Sequence, residues 1–270
     1  MPVSKLKNLA ILILLLANAA LLCLLVPRQL RQQQQTARLH AAVTQLCAEQ
    51  EVALDPACIP ETVSLYELEL ADGDIARLDA LTALLGETPD RTDTGRFTAN
   101  AIRLCDWKDD TLSLKLTGGR EVSDIRGSAK RILRKMGYSY HSVTKTERLS
   151  PGIYSMTATQ SILGMPVFSQ GLTVTYSNNA LSDLSGSFFV GTLTDTGSAA
   201  CINAPEAVVA FLSSRVELGW VGSSVLSLEQ GYYRYETAGS AVRLTPVWKV
   251  VTDTGSFLIH GLSAEVRPFP

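Results

Sequence analysis

The sequence is poor in the side chains that most often carry out chemistry. Of its 270 residues only three are histidine and five are cysteine. His40, His141 and His260 show no metal-ligand spacing and no partnered serine or cysteine. The sequence has no C-x-x-C pair and no mixed cysteine and histidine cluster, which are the usual signatures of a zinc site. We therefore expect no metal, no cofactor and no enzymatic activity.

The chain also lacks an excess of charge of either sign. Its formal net charge is -2 at pH 7. Nucleic-acid-binding domains carry concentrated basic patches. Beyond the arginines that follow the apolar start of the chain, the sequence has no basic block of that kind. The composition thus predicts no nucleic-acid partner.

An apolar segment at the start is the most informative feature that is present. Residues 9–26 are apolar except for Asn18, and as a helix they would span roughly 27 Å, close to the hydrocarbon thickness of a bilayer. A cleaved secretory signal is the alternative, since Lys5 and Lys7 form a basic start and Ala17-Asn18-Ala19 resembles a cleavage site. Cleavage there would leave residues 21–26 as an apolar new terminus, so we favour an uncleaved transmembrane helix.

The lengths on either side of this segment predict its orientation. A short N-terminus with lysines usually stays inside, and a long polar remainder translocates largely regardless of charge. Residues 1–8 are therefore predicted to be a cytoplasmic tail, residues 9–26 a single membrane span, and the C-terminal region extracellular. Asn18, beside small alanines, is a candidate contact to another membrane helix; a lone tolerated asparagine is the alternative.

The remaining cysteines suit an extracellular region. Cys23 falls in the apolar segment, and Cys47, Cys58, Cys105 and Cys201 form an even set that allows three disulfide connectivities. We favour a local Cys47 to Cys58 bridge with a distant Cys105 to Cys201 bridge. The alternative is four buried free thiols, which behave as small apolar residues.

Beyond the membrane the hydrophobic period changes repeatedly, which predicts an α+β fold with helices packed on one face of antiparallel sheets. Residues 27–60 read as a juxtamembrane stalk helix whose apolar second half docks on the folded domain. Residues 61–120 read as an N-terminal α+β unit with a helix over residues 74–85 that turns Ile75, Leu78, Leu81 and Leu85 inward.

A helix followed by about four antiparallel strands then occurs twice, so residues 121–200 and 201–270 read as two repeats. The helix of the second repeat is predicted to begin at Asn203, because Pro205 and Glu206 follow that residue closely.

Several motifs give this organisation a family resemblance. The stretch from Ala42 to Pro60, the segment Gly164-Met165-Pro166-Val167-Phe168 and the strand Pro246-Val247-Trp248-Lys249 together resemble the YycH/YycI family. The latter two also resemble PepSY-like domains, so the two repeats are expected to be PepSY-like. Members of the YycH/YycI family are single-span extracytoplasmic regulators of WalK-type sensor kinases in Gram-positive bacteria.

The resemblance implies a noncatalytic regulator whose partners are a membrane sensor histidine kinase, membrane lipid and, as an open possibility, a sister regulator. It would act through its membrane helix and its outer domain. A PepSY-like binding or protease-inhibitor module at the cell surface is the alternative.

A third hypothesis, a hydrolase, comes from Asp-Thr-Gly at Asp93, Asp195 and Asp253, which resembles an aspartic-protease signature. Such enzymes need two aspartates sharing one proton. A polar threonine precedes each aspartate, and Asp and Gly are favoured in turns on conformational grounds. We therefore interpret the three copies as turns.

Two clusters are candidates for contact with partners. One predicted helix carries four closely spaced cations, Lys130, Arg131, Arg134 and Lys135. We interpret them as a helix face exposed to solvent; contact with an acidic lipid or protein surface is the alternative.

The second cluster is aromatic: Tyr232, Tyr233 and Tyr235 alternate around a strand beside Trp248, as in a half-buried sheet. Exposed members of this set could anchor a partner.

Overall fold

The computed structural model describes residues 37–71, 73–169, 171–235 and 242–269, together with Leu14 and Gln35. Residues 37–49 are helical and form α1. Three further helices follow, α2 (Asp74–Leu85), α3 (Ile125–Lys135) and α4 (Ala204–Ser213), with a short 3-10 helix at Pro56–Cys58. The expected class, α+β with antiparallel sheets, is confirmed.

The helix ends follow local capping chemistry. Asn203 caps α4: its side chain accepts a hydrogen bond from the Glu206 N–H, and the Glu206 carboxylate accepts one from the Asn203 N–H. Asp124 caps α3 through the Gly127 N–H. Gly86 ends α2 in the left-handed region at φ 82°, which glycine adopts without steric cost.

One sheet has nine strands, and we call it the first sheet. Eight strands run in the order β3-β4-β5-β6-β11-β10-β8-β7, and β9 pairs with β8. Their bounds are β3 Asp90–Asp93, β4 Arg96–Thr98, β5 Ile102–Lys108, β6 Thr111–Leu116, β7 Tyr140–Ser150, β8 Ile153–Ile162, β9 Met165–Pro166, β10 Leu172–Ser177 and β11 Ala180–Ser187.

The second sheet has seven strands. Five run in the order β1-β13-β14-β15-β16, and β2 pairs with both β14 and β12. Their bounds are β1 Ala53–Leu54, β2 Leu68–Leu70, β12 Leu193–Asp195, β13 Ser224–Arg234, β14 Val242–Thr252, β15 Ser256–His260 and β16 Val266–Phe269. Only the β1 and β13 pairing is parallel among these strands.

A helix followed by a four-stranded antiparallel meander occurs three times. Helix α2 precedes β3 to β6, α3 precedes β7, β8, β10 and β11, and α4 precedes β13 to β16. The first two meanders join through β6 and β11, which builds the first sheet. The helix followed by four strands that was predicted twice within residues 121–270 thus also occurs in residues 74–116. The division of the chain into domains stays a prediction.

Each sheet has its own core. The first core lies between the first sheet and helices α2 and α3, with Leu81, Leu133 and Trp107 fully buried. The second lies between the second sheet and helix α4, where Phe211 and Trp248 are fully buried. The second half of α1 docks on this second core, as predicted, through the buried residues Val43 and Cys47 and the partly buried Leu46.

Two sequence predictions need correction. Ile75 was expected to face inward, but it is 79% exposed. At about 100° per residue it lies on the side of α2 opposite Ala80, Leu81 and Leu84, which face the core. The favoured disulfides are also absent, because Cys47, Cys58, Cys105 and Cys201 are all free. Cys105 belongs to the first core and Cys201 to the second, so the distant bridge would have to join two separate cores.

The membrane span predicted over residues 9–26 lies outside the described residues, apart from Leu14, and Asn18 lies outside them as well. Within the described ranges no helix has the length and apolar character needed to cross a bilayer.

Candidate interaction surface

Two of the Asp-Thr-Gly copies lie at hairpin turns, between β3 and β4 and between β14 and β15, and the copy at Asp195 lies at the end of β12. Asp93 accepts a hydrogen bond from the Thr94 N–H at 2.7 Å, and Asp195 accepts one from the Gly197 N–H at 2.8 Å. Asp253 sits between β14 and β15 and accepts hydrogen bonds from the Ser223 N–H and hydroxyl. These bonds stabilise the carboxylate and lower the pKa of Asp253. Each carboxylate therefore has a local role in its own turn.

The aspartates do not converge. Leu68 pairs with Asp195 on one side and with Leu244 on the other. Asp253 lies nine residues beyond Leu244 along the same strand direction, about 30 Å at roughly 3.3 Å per residue. Asp93 lies in the other sheet. Two carboxylates must be in contact to share a proton, so these positions do not form an aspartic-protease dyad.

The histidines are equally dispersed. His40 lies on α1, His141 on β7 and His260 on β15. Across the described part of the chain no group of three or more potential metal-ligating side chains is present. Cys47, Cys105 and Cys201 are buried, and burial raises the pKa of the Cys105 thiol to about 12 and of the Cys201 thiol to about 11. Such thiols are protonated and unreactive at neutral pH.

The most distinctive surface is on the second sheet, on the face opposite α4. We call it the aromatic layer. It consists of four aromatic rings and two cations: Phe168, Tyr233, Tyr235, Phe269, Lys249 and Arg267. The layer covers Val247 and Leu258, which are fully buried beneath it.

The strand pattern explains how these residues reach one face. Trp248 and Val250 of β14 point into the second core, so the alternate residues Val247 and Lys249 point to the opposite face. Phe168 arrives from the first sheet: its N–H donates to the Tyr232 carbonyl at 2.8 Å. Gly231 makes room for it, because a Cβ there would lie 2.7 Å from Phe168 Cε2.

Both cations are held between rings. The Arg267 guanidinium lies 4.4 Å from the Tyr233 ring centroid and 4.2 Å from that of Tyr235. Lys249 Nζ lies 5.0 Å from the Phe269 centroid and 5.5 Å from that of Phe168. Contacts of this kind are each worth about 0.5 to 1 kcal/mol at exposed sites. The six side chains therefore restrain one another before any partner arrives.

The titratable groups of the layer are shifted by the same packing. Burial raises the pKa of Tyr235, and the neighbouring Arg267 guanidinium opposes that shift. His260, whose ring centroid lies 5.0 Å from that of Tyr235, has its pKa lowered by burial. Its Nδ1 accepts hydrogen bonds from the Leu262 and Ser263 N–H groups, which suits the neutral imidazole.

Sequence reasoning found part of this layer. The tyrosine alternation marked Tyr232, Tyr233 and Tyr235 together as candidate anchors. Tyr233 and Tyr235 lie in the layer, whereas Tyr232 faces the second core. Phe168 and Lys249 lie in two of the motifs that carry the family resemblance. Those motifs predicted strands but gave no role to either side chain. Arg267 and Phe269 were missed, because the only signal for them is alternation within the short strand β16.

The basic cluster lies on helix α3, as predicted. Arg131, Arg134 and Lys135 are exposed and Lys130 is half-buried. Arg134 contacts the Tyr140 hydroxyl at 3.4 Å. This is a solvated cationic face, and it is separate from the aromatic layer.

Among known proteins, this chain is similar to solved structures of low sequence identity. No protein-family model matches it and no curated protein matches it. An uncharacterized protein from Eubacterium rectale ATCC 33656 is 10% identical with a TM-score of 0.45, over 77% of this chain and 86% of that chain. The C-terminal domain of Bacillus megaterium YpeB is 9% identical with a TM-score of 0.38, over 74% of this chain and 99% of that chain. Neither likeness supports membership of the YycH/YycI family.

Proposed function

We propose that this chain is a noncatalytic, membrane-anchored accessory regulator that binds a two-component sensor histidine kinase. In this proposal residues 9–26 anchor it, the N-terminus is cytoplasmic and the C-terminal region is extracellular. The aromatic layer is the observation that supports a protein-binding role for the outer region. The kinase as partner rests on the family resemblance of the sequence motifs.

The composition of the layer suits protein recognition. Tyrosine and arginine are enriched among the residues that dominate binding energy at protein interfaces. Holding Arg267 between Tyr233 and Tyr235 reduces the side-chain freedom that binding would otherwise remove. A partner with carboxylates placed to meet Arg267 and Lys249 would find both cations already positioned.

The alternative is a PepSY-like binding or protease-inhibitor module at the cell surface. It would use the same layer but would treat the membrane span as a tether only. The two functions differ in whether the sequence of residues 9–26 matters.

The experiment is crosslinking and purification of the full-length protein from its native membrane. It is compared with a version whose residues 9–26 are replaced by an unrelated span and with an Arg267→Ala variant. We expect mass spectrometry to identify a sensor histidine kinase with the native span, and less of it with either change. Recovery of the same secreted or wall-bound protein with both spans would instead support the cell-surface module.

A further inference from the structure

A groove of about 210 Å³ lies where the two sheets meet. Its floor is formed by Leu228, Glu229 and Gln230 of β13, and its walls include Val63, His141 and Met165. His141 Nε2 contacts Glu229 Oε1 at 3.1 Å across the junction. The floor of the groove is therefore the edge of a strand rather than the face of a sheet.

This edge of β13 is open in the described chain. The strand β14 occupies the opposite edge along the whole length of β13. On the open side β1 pairs with Ser224 and Val225, and Val167 forms a bridge with Tyr232. Between these two contacts the described residues supply no strand to pair with Leu228 to Gln230.

The hydrogen-bonding direction of the open edge follows from its neighbours. Tyr232 pairs with Pro246, yet the Tyr232 carbonyl accepts from the Phe168 N–H and the Pro246 carbonyl accepts from the Gly261 N–H. The backbone groups of this pair thus point away from each other. Because these directions alternate along an antiparallel pair, and the register is regular from Ser227 to Arg234, the N–H and C=O groups of Leu228 and Gln230 point into the groove.

The chain itself shows how this edge can be used. Segment Met165–Pro166 pairs with β8, and the residues that follow it continue along β13 through the Val167 bridge and the Phe168 to Tyr232 hydrogen bond. Strand β1 runs parallel to β13 on the same edge. An extended backbone placed between them would lie in line with two segments that already pair there.

We propose that this groove binds an extended peptide segment of a partner protein, which adds to β13 as a short strand. Two N–H and two C=O groups in i, i+2 spacing are what such a segment recognises. Cys58 Sγ contacts the Leu226 carbonyl at one end of this edge, and the Pro166 carbonyl lies over Gly231 at the other. The open stretch from Ser227 to Gln230 therefore spans about 10 Å at roughly 3.3 Å per residue, which suits about four residues.

The side chains around the groove define the peptide. Val63 lines it and is 44% exposed, while Leu163 and Leu226, next to lining segments along the chain, are 69% and 55% exposed. The His141 ring and the Glu229 carboxylate already contact each other. The bound segment is therefore apolar at alternate positions and carries no required charge. The site adjoins the aromatic layer, because Glu229 of the groove pairs with Lys249 across β13 and β14. It uses the strand edge rather than the rings and requires no kinase, so its tests do not depend on the proposed function.

The free protein provides the first test. Residue-resolved hydrogen exchange on the full-length protein in lipid nanodiscs should show fast exchange at the Leu228 and Gln230 amides. The Glu229 and Gly231 amides, which face β14, should exchange slowly. Equal protection of all four amides would overturn the proposal, because the edge would then be occupied by the chain itself.

The second test uses a random peptide library as the probe. Peptides selected on the same nanodisc-held protein should protect the Leu228 and Gln230 amides. Methylating alternate backbone nitrogens of such a peptide should weaken binding by about tenfold or more, which corresponds to about 1.4 kcal/mol, and methylating the intervening ones should not.

Variants locate the binding to the groove. Met165→Trp or Val63→Trp, either of which fills it, should weaken peptide binding by about tenfold or more. Leu149→Trp, at an exposed position of β7 away from the lining residues, is the matched control and should leave binding unchanged. Three outcomes would each overturn the proposal. No peptide is selected, or the selected peptides are insensitive to both groove variants. In the third outcome a second copy of the chain fills the groove, seen as a dimer that Met165→Trp dissociates.

Discussion

At the scale of single residues, the aromatic layer depends on contacts between its cations and its rings. Arg267 and Lys249 lie over rings rather than against carboxylates in the described structure. A cation held over an aromatic face keeps its full charge available to an approaching partner. This is the physical reason for placing the candidate interface here rather than on α3, whose cations are solvated and loosely held.

The four described cysteines should differ in reactivity. Cys58 is half-buried and its Sγ contacts the Leu226 carbonyl at 3.3 Å, whereas Cys47, Cys105 and Cys201 are buried. We expect a maleimide reagent to label Cys58 in the native protein and the other three only after unfolding. Peptide mass spectrometry of the labelled protein checks this, with Cys58→Ser as control. A Cys47 to Cys58 or Cys105 to Cys201 disulfide in unreduced protein would contradict it.

His260 should make stability depend on pH. Burial lowers the pKa of His260 in the folded state below its ordinary value of about 6.5. The unfolded state then binds the proton more readily than the folded state. The contribution of His260 to the free energy of unfolding is therefore fully present above about pH 6.5 and is lost as the pH falls below that value.

Urea unfolding of the wild type and of His260→Asn at pH 7.5 and pH 5.5 measures this contribution. Asparagine offers an acceptor to the Leu262 and Ser263 N–H groups without titrating. We expect the variant to lose less stability than the wild type between the two pH values. An equal loss in both proteins would show that His260 contributes nothing to the dependence.

At the scale of elements, the segment that carries Phe168 connects the two sheets. Val167 and Phe168 pair with Tyr232, and the Phe168 ring rests over Gly231. The Gly-x-Pro-Val-Phe motif therefore has a structural explanation. It ends one strand of the first sheet, adds to the edge of the second, and supplies a ring to the aromatic layer.

Gly231→Ala should displace this segment. The added methyl group would lie 2.7 Å from Phe168 Cε2 and also meet the Pro166 carbonyl. We expect a loss of about 1 to 3 kcal/mol in the free energy of unfolding, measured by urea unfolding. Gly255→Ala is the control, because a Cβ there meets nothing within 4 Å. Equal stability of the two variants would mean that Phe168 does not need the space at Gly231.

The sequence predicted elements well where local chemistry decides them. Asn203, Pro205 and Glu206 placed the start of α4 correctly, because a cap and a first turn are local. It failed where packing decides. Ile75, expected to face inward, is 79% exposed because packing on the first sheet selects the other side of α2.

The candidate site was only half predictable for the same reason. Alternation marks Tyr233 and Tyr235, but the arrival of Phe168 from the other sheet depends on long-range topology that no local pattern carries. The favoured disulfide pairing failed likewise. Whether Cys105 can meet Cys201 depends on how the two cores are arranged, and the even number of cysteines does not contain that information.

At the scale of the whole molecule, polar contacts join the first sheet to the second sheet and to the segment between β11 and β12. The buried Gln160 side chain bonds both the N–H and the carbonyl of Phe189. Arg234 of the second sheet pairs with Asp110 of the first, whose side chain is only 2% exposed. These contacts fix the junction at which both the groove and the Phe168 segment lie.

Arg234→Ala should weaken this junction more than Asp110→Asn. Removing the guanidinium leaves a buried carboxylate without its partner, which costs about 3 kcal/mol. Asparagine instead keeps an acceptor for Arg234. Urea unfolding of both variants and of the double variant measures the coupling between the two residues. A larger loss for Asp110→Asn would show that the carboxylate is stable without Arg234.

Binding of a sensor kinase by the aromatic layer can be tested with a photocrosslink from within the layer. A benzophenone amino acid would replace Tyr235 in the full-length protein, with the same replacement at the exposed Val216 as control. We predict a crosslink to a sensor histidine kinase in intact cells from position 235 and none from position 216. No kinase crosslink from position 235, or the same products from both positions, would show that the layer does not bind the kinase.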